Sequence, residues 1–545
     1  MTSDRMEVPV AGRAMSRPSS PDVVVVGAGL AGLYQMHRLR RLGLSYRVFE
    51  AGSGIGGTWF WNRYPGARCD VESLQYSYSF SEELEQEWKW TERYPTQPEI
   101  LRYIEHVAQR YDLHRDVELD TRVTSAVWDG ERWAITTDRP ETVSARYVIY
   151  ATGCLSQPRE IDIPGLDNFR GNVWSTARWP HDDVDFTGRR VAVIGTGSSG
   201  VQLIPVIAQQ AAELTVFQRT ANYIIPARNA PLSPQAQQEH KANYPTHRRL
   251  ARESPAGLLG VQGQTSALDA TAEERRQAFE QAWSTGGLTA LRADYHDLSL
   301  DPAANRTVSD FLRDKIRSIV CDPETAEALA PSDHPFGTKR PCLDTGYFQT
   351  YNLDHVRLVD LRTTPITTIT THGIQTTDQH IEIDDLVLAT GFDAMTGALL
   401  AIDIRGRHGL RLADAWADGP TTYLGLQIAG FPNMFTITGP GSPSVLSNMI
   451  VSIEQHVDWI SDCLTHLNGQ VIEASPHAQQ RWVAHVAETA DQTLMNHANS
   501  WYVGANIPGK PRVVMPYVGG VGRYRAICDK VAAAGYEGFV LTPPE

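Results

Sequence analysis

Cysteine is scarce and scattered. Cys69, Cys154, Cys321, Cys342, Cys463 and Cys528 are the only six among 545 residues, and no two form a C-x-x-C pair. This removes the usual signatures of a disulfide scaffold, a zinc ribbon and a dithiol reductase. Long apolar runs are also missing, none approaching the ~20 residues that a membrane-spanning helix needs. Nor is there a basic excess. Lys plus Arg (49) against Asp plus Glu (63) leaves a formal charge of −14. That argues against a nucleic-acid or anionic-membrane partner, though it leaves room for a local basic pocket. Residues 1–20 have no apolar core and read as a flexible extension, not a secretion signal. The expected setting is a reducing cytoplasm, and the expected state a monomer or weak oligomer.

What is present points to large buried cores. Hydrophobic residues make up 42% and charged residues 21% of the chain. At roughly 100–200 residues per domain, the length fits about three or four domain-sized units. The β-branched run Asp22-Val-Val-Val-Val enters Gly27-Ala28-Gly29-Leu30-Ala31-Gly32, then a helix-like stretch to Arg41 and a strand ending in Glu50. The pattern repeats once. Arg190-Val-Ala-Val-Ile enters Gly195-Thr196-Gly197-Ser198-Ser199-Gly200, and its partner strand ends in Arg219-Thr220. One G-x-G-x-x-G is weak in a chain with 43 glycines. Two copies, each leaving a strand and opening a helix, have the context that a pyrophosphate at a helix N-terminus requires.

The ends of the second strands separate the two ligands. Glu50 offers a carboxylate to ribose hydroxyls, as FAD or NAD needs. Arg219 offers a guanidinium to a 2′-phosphate that a carboxylate would repel. The assignment is FAD at Gly27, Gly29, Gly32 and Glu50, and NADPH at Gly195, Thr196, Gly197, Ser198, Ser199, Gly200, Arg219 and Thr220. Two such cofactors in one chain imply hydride transfer between them.

The expected fold class is α/β with two Rossmann-like dinucleotide-binding domains. The first part of the FAD domain spans 21–155, the NADP domain 156–384, and the second part of the FAD domain 385–545. Between about 230 and 332 Gln, Ala, Glu and Arg dominate and β-branched runs vanish, which predicts a helical insertion. A further amphipathic helix is predicted over 446–464.

The segment Gly56-Gly57-Thr58-Trp59-Phe60-Trp61-Asn62-Arg63-Tyr64-Pro65-Gly66-Ala67-Arg68-Cys69-Asp70 resembles the G-G-x-W-x-x-x-x-Y-P-G-x-x-x-D signature of Baeyer–Villiger monooxygenases at every fixed position. A second fingerprint of that family, F-x-G-x-x-x-H-x-x-x-W-P, is similar to Phe169–Pro180, with Ser175 in place of the histidine. The Ala-Thr-Gly turns at 151–153 and 389–391 and the stretch Trp501–Arg512 extend the likeness to nearly the whole chain. It is nearest to the phenylacetone and steroid monooxygenase branch.

The resemblance implies an FAD enzyme that consumes NADPH and O2 and converts a lipophilic ketone to an ester or lactone through a C4a-peroxyflavin. Sulfoxidation is a conceivable side activity. It places the active-site arginine at Arg340 and its carboxylate partner at Asp70. A fixed cation there suits the negative oxygen charge that develops during attack on a carbonyl. It adds Lys339 to the 2′-phosphate site and Trp501 to the NADP ribose. Thr58, Trp59, Trp61 and Tyr76 become flavin-domain contacts, and Met449 falls in the substrate-pocket segment 441–449. Ser175 cannot titrate near neutrality. It leaves three outcomes: intact oxygenation with altered coupling, an uncoupled NADPH oxidase, or compensation by a neighbour such as His181. Oxygenation is favoured, because every group aimed at the developing charge is present. The competing readings are an N- or S-hydroxylating flavin monooxygenase and, remotely, a degraded nucleotide-binding protein.

Overall fold

The computed structural model describes residues 18–260 and 263–543, so most of the extension expected at 1–20 lies outside the described residues. Two parallel five-stranded sheets organise the chain. In the first, Val23–Val26 lies at the centre, between Tyr147–Tyr150 and Tyr46–Phe49, with Met434–Thr436 and Val117–Glu118 at the edges. All four valines are buried, and alternation sends them to opposite faces. Val23 and Val25 pack with Leu33 and Met36 of the helix Leu30–Leu42. Val24 and Val26 pack against Trp133 and Ile135, part of a four-stranded sheet built from Asp403–Arg405, Val123–Trp128, Trp133–Thr137 and Thr142–Ala145. Burying each such side chain stabilises the fold by about 1.5–3 kcal/mol, so a sheet covered on both faces needs a nearly continuous apolar run.

The second sheet has the order Val356–Asp360, Glu213–Gln218, Arg190–Ile194, Asp385–Leu388, Asn172–Ser175. Val191 and Val193 meet the helix Ser198–Ala208 on one face. Ala192 and Ile194 meet an antiparallel layer over residues 366–382 on the other. The strand Asp385–Leu388 pairs with both Arg190–Ile194 and Asn172–Ser175. The division expected after residue 384 therefore falls one strand too early, because this strand completes the second sheet.

Between the strands Ile224–Pro226 and Cys342–Asp344 lie the helices Pro234–Ala242, Tyr244–Glu253, Ala272–Thr285, Pro302–Ile319 and Pro323–Leu329. Ser233, Thr271, Asp301 and Asp322 cap four of them through their side chains. The helix Met449–Leu467 runs against Leu30–Leu42, tied by a hydrogen bond from the Tyr34 hydroxyl to Asp458 at 2.7 Å. Among the described residues no helix is long and apolar enough to cross a membrane.

Candidate active site between the two nucleotide units

At the first glycine turn the backbone is too close-packed for side chains. Gly27 has φ +106°, and a Cβ there would lie 2.6 Å from the Ala151 carbonyl oxygen. A Cβ on Gly32 would overlap the Gly27 carbonyl, whereas one on Gly29 would only touch Gly57, at 3.4 Å. The helix that opens at Leu30 has no acidic residue in its first turn, leaving its positive N-terminus free for an anion. Glu50 is buried, and its two carboxylate oxygens accept hydrogen bonds from the Ala28 and Gly52 amides at 2.8 and 2.7 Å. Burial raises its pKa and those amides oppose the rise. Glu50 thus braces the glycine turn itself, with lone pairs left over for a ribose.

The Gly57–Asp70 segment folds beside this turn. Gly57, at φ +54°, starts the short helix Thr58–Trp61. Trp59 donates from its indole N–H to the Tyr76 hydroxyl at 3.1 Å, and Trp61 meets Phe60 edge-on. These contacts fix the loop that delivers Asp70.

The second glycine turn repeats the geometry. Gly195 has φ +112° and abuts the Ala389 carbonyl, while Gly200 abuts the Gly195 carbonyl. Gly197 has open space where a Cβ would point, and both it and Ser198 are exposed at a helix start without acidic residues. Thr196 donates its hydroxyl to the Thr220 carbonyl at 3.1 Å, tying the turn to the end of the neighbouring strand. Both turns therefore fit a dinucleotide: each has a backbone cradle that side chains would fill and an uncapped helix N-terminus.

Three cations gather at the second turn. Arg219 is exposed and forms no ion pair or side-chain hydrogen bond among the described residues. Burial, then the Arg219 charge, lower the pKa of Arg159. Lys339 is also lowered, by burial first; Asp333 opposes this and Arg219 adds to it. Asp333 is itself occupied by His334 at 2.6 Å. Arg159, which carries no predicted role, is anchored by its amide to the Gly391 carbonyl at 3.0 Å, and its buried Nε has no hydrogen-bond partner. No local motif marks it, because its neighbours come from distant strands.

Arg340 and Asp70 meet where the two units face each other. Arg340 donates from Nε and Nη2 to the two Asp70 oxygens, each at 2.7 Å, and from Nη1 to the Val445 carbonyl at 2.6 Å. Burial alone would weaken the Arg340 charge, but Asp70 overrides it and holds the guanidinium firmly protonated. Val445 belongs to the turn Ser444–Leu446, directly before the helix that Met449 begins. Val445, Met449, Trp501 and Tyr502 share one apolar cluster, and the Trp501 and Tyr502 rings lie 4.2 Å apart between centroids. The fold thus brings Asp70, Arg340, Met449 and Trp501 to one place, with Trp59 and Tyr76 packed in the adjoining core. Val445 lies in the pocket segment 441–449 expected from the sequence, but the bond of its carbonyl to Arg340, and the place of Tyr502, were not legible.

Ser175 ends its strand opposite Leu388, and its side chain makes no hydrogen bond among the described residues. His181 packs on Phe60 at 4.9 Å, with its pKa lowered by burial and by Arg63.

The family model described as pyridine nucleotide-disulphide oxidoreductase matches residues 24–274. A solved steroid monooxygenase bound to NADP is 55% identical, with a TM-score of 0.92, covering 96% of this chain and 100% of its own. An acetone monooxygenase (methyl acetate-forming) from Gordonia sp. (strain TY-5) is 44% identical over 530 residues, 96% of this chain and 99% of the relative. A Baeyer-Villiger monooxygenase from Pseudooceanicola batsensis is 41% identical over 528 residues, 95% of this chain and 96% of the relative. With likeness at these identities over nearly full length, joined to two dinucleotide cradles facing an arginine–aspartate pair, the chain belongs to the FAD- and NADP-dependent Baeyer–Villiger monooxygenases.

Proposed function

We propose that this chain converts a lipophilic ketone, NADPH, a proton and O2 into an ester or lactone, NADP+ and water. One oxygen atom enters the carbon–carbon bond beside the carbonyl and the other leaves as water. Bound FAD supplies the electron transfer and dioxygen activation that no side chain here can provide. The first glycine turn and Glu50 would hold its pyrophosphate and ribose, and Thr58, Trp59, Trp61 and Tyr76 would contact the rest of it. At the second turn, Ser198 and Ser199 open a helix onto the NADP pyrophosphate. Arg219, Thr220, Lys339 and Arg159 would hold its 2′-phosphate, and Trp501 its ribose.

Arg340 stabilises the negative charge that builds on the ketone oxygen as its carbon is attacked. Asp70 and the Val445 carbonyl fix the direction of that guanidinium, so little reorganisation is required at the moment of reaction. Met449 and its neighbours bound the ketone. The observation carrying this reading is the bidentate Arg340–Asp70 pair, which joins residues from both nucleotide units. Incubation with NADPH, air and a panel of cyclic, aryl and steroid ketones tests it. Ester or lactone should form in proportion to NADPH used, and NADPH oxidation without any oxygenated product would refute it.

Ser175 lies at the carboxyl end of its strand, where nucleotides bind in sheets of this kind. A histidine there would add a ring able to donate and accept hydrogen bonds next to the nicotinamide nucleotide. Ser175→His is expected to raise the ratio of ester to hydrogen peroxide by about two- to tenfold, the scale of one ordinary hydrogen bond. Parallel ester and peroxide assays measure the ratio; an unchanged ratio would show that serine carries no penalty for coupling.

A further inference from the structure

We infer that Cys154 and Ser444 are positioning residues for oxygenation: they set the direction of the Val445 carbonyl and, through it, that of the Arg340 guanidinium. The inference rests on the charge-stabilising role given to Arg340 above and names what keeps that side chain on target.

Arg340 makes two of its three hydrogen bonds to the Asp70 carboxylate. Two bonds to one carboxylate leave the guanidinium able to tilt about that pair. The third, to the Val445 carbonyl at 2.6 Å, fixes its plane. The residue before Val445 is Ser444, which stands at φ +42°. A residue with a side chain keeps this left-handed conformation only where its surroundings enforce it.

A buried polar cluster enforces it here. The Ser444 hydroxyl lies 3.0 Å from the Cys154 sulfur. The Ser444 carbonyl accepts from the Ser447 amide and hydroxyl at 3.0 and 2.7 Å. The Cys154 thiol donates to the Thr438 carbonyl at 3.3 Å, which leaves sulfur lone pairs for the Ser444 hydroxyl. Thr438 and Met395 are left-handed too, at φ +56° and +68°, and the Met395 amide donates to the Cys154 carbonyl at 2.8 Å. Cys154 therefore ties together three strained backbone positions. It also lies three residues after Ala151, whose carbonyl abuts Gly27, so the cluster is keyed to the first glycine turn. Ser444 is fully buried and Cys154 nearly so. Neither is placed to touch a ketone; both act through Val445.

The test uses the full-length, flavin-loaded enzyme, with single-turnover ester rates and steady-state KM values. Ser444→Ala should slow ester formation about 5- to 30-fold, the population lost when an unheld residue leaves the left-handed region. KM for ketone and for NADPH should change little. Ser444→Gly should recover most of that loss, because glycine adopts this conformation with no side chain to hold it. A packing role predicts the reverse order, since glycine leaves the larger hole. Cys154→Ala should cost about 2- to 10-fold, the scale of one hydrogen bond, and Cys154→Ser should restore most of it. In an Arg340→Lys background, where the third bond is already gone, Ser444→Ala should cost less than about twofold more.

A full ester rate in Ser444→Ala or Cys154→Ala, a slower Ser444→Gly than Ser444→Ala, or a loss confined to KM would each overturn the proposal. So would an undiminished loss in the Arg340→Lys background. If the Ser444 variants fail to load flavin, the Cys154 pair and its combination with Arg340→Lys carry the test. Arg340→Ala separates this inference from its parent. A full ester rate there would sink the role of the arginine itself, whereas a slow Arg340→Ala beside a fast Ser444→Ala would sink only the positioning.

Discussion

Arg340→Ala is expected to keep FAD and NADP bound yet lower the rate of ester formation by about 10²- to 10³-fold, the usual effect of removing one preorganised charge-stabilising donor. The side chain is held at three points, two on Asp70 and one on the Val445 carbonyl, so no neighbouring group takes its place. Arg340→Lys restores a charge but not the planar fork, and one ammonium cannot satisfy Asp70 and Val445 in the same geometry. It should recover only a small part of the rate. Asp70 keeps the guanidinium protonated well beyond neutral pH, so the pH–rate profile of the unmodified enzyme should show no limb from loss of this charge. Single-turnover product assays on flavin-loaded variants check the rate. Ketone oxidation at full speed in Arg340→Ala would remove the role assigned to it.

Replacing Arg219 and Arg159 together by alanine is expected to raise KM for NADPH by about 10²-fold or more, while KM for NADH changes little. Each charged hydrogen bond to a phosphate is worth roughly 1.5–3 kcal/mol, about a factor of 10 to 100 per residue. The two guanidiniums are near enough for the charge of one to lower the pKa of the other. Relief of that mutual repulsion should make the double loss smaller than the product of the single losses. Steady-state kinetics with both nucleotides, repeated at two salt concentrations, provides the check. Equal losses for NADPH and NADH would place these residues away from the 2′-phosphate.

The two strand–turn–helix units were legible because their constraints are local. A glycine such as Gly32, in the first turn of the helix, must sit five residues after Gly27 for the helix to pack on its own strand, and that spacing is written in the chain. Asp70 and Arg340 were legible only through family resemblance, since nothing local announces that residues 270 positions apart will pair. Arg159 escaped notice for the same reason, and Val445 was marked only as part of the pocket segment 441–449, without the contact of its carbonyl with Arg340. Their roles come from what distant strands and turns place beside them. The strand Asp385–Leu388 was found but given to the wrong unit, because an apolar run does not say which sheet it will join. Glu50 shows a subtler gap: its end-of-strand carboxylate suggests a ribose contact, but bracing Ala28 and Gly52 requires the fold to be seen.

Labelled dioxygen tests the central claim most directly. Turnover of a ketone by the holoenzyme with NADPH under isotopically labelled O2 should give an ester carrying one labelled atom, with one NADPH oxidised per ester formed. Unlabelled ester, or labelled hydrogen peroxide accounting for all the NADPH, would contradict it.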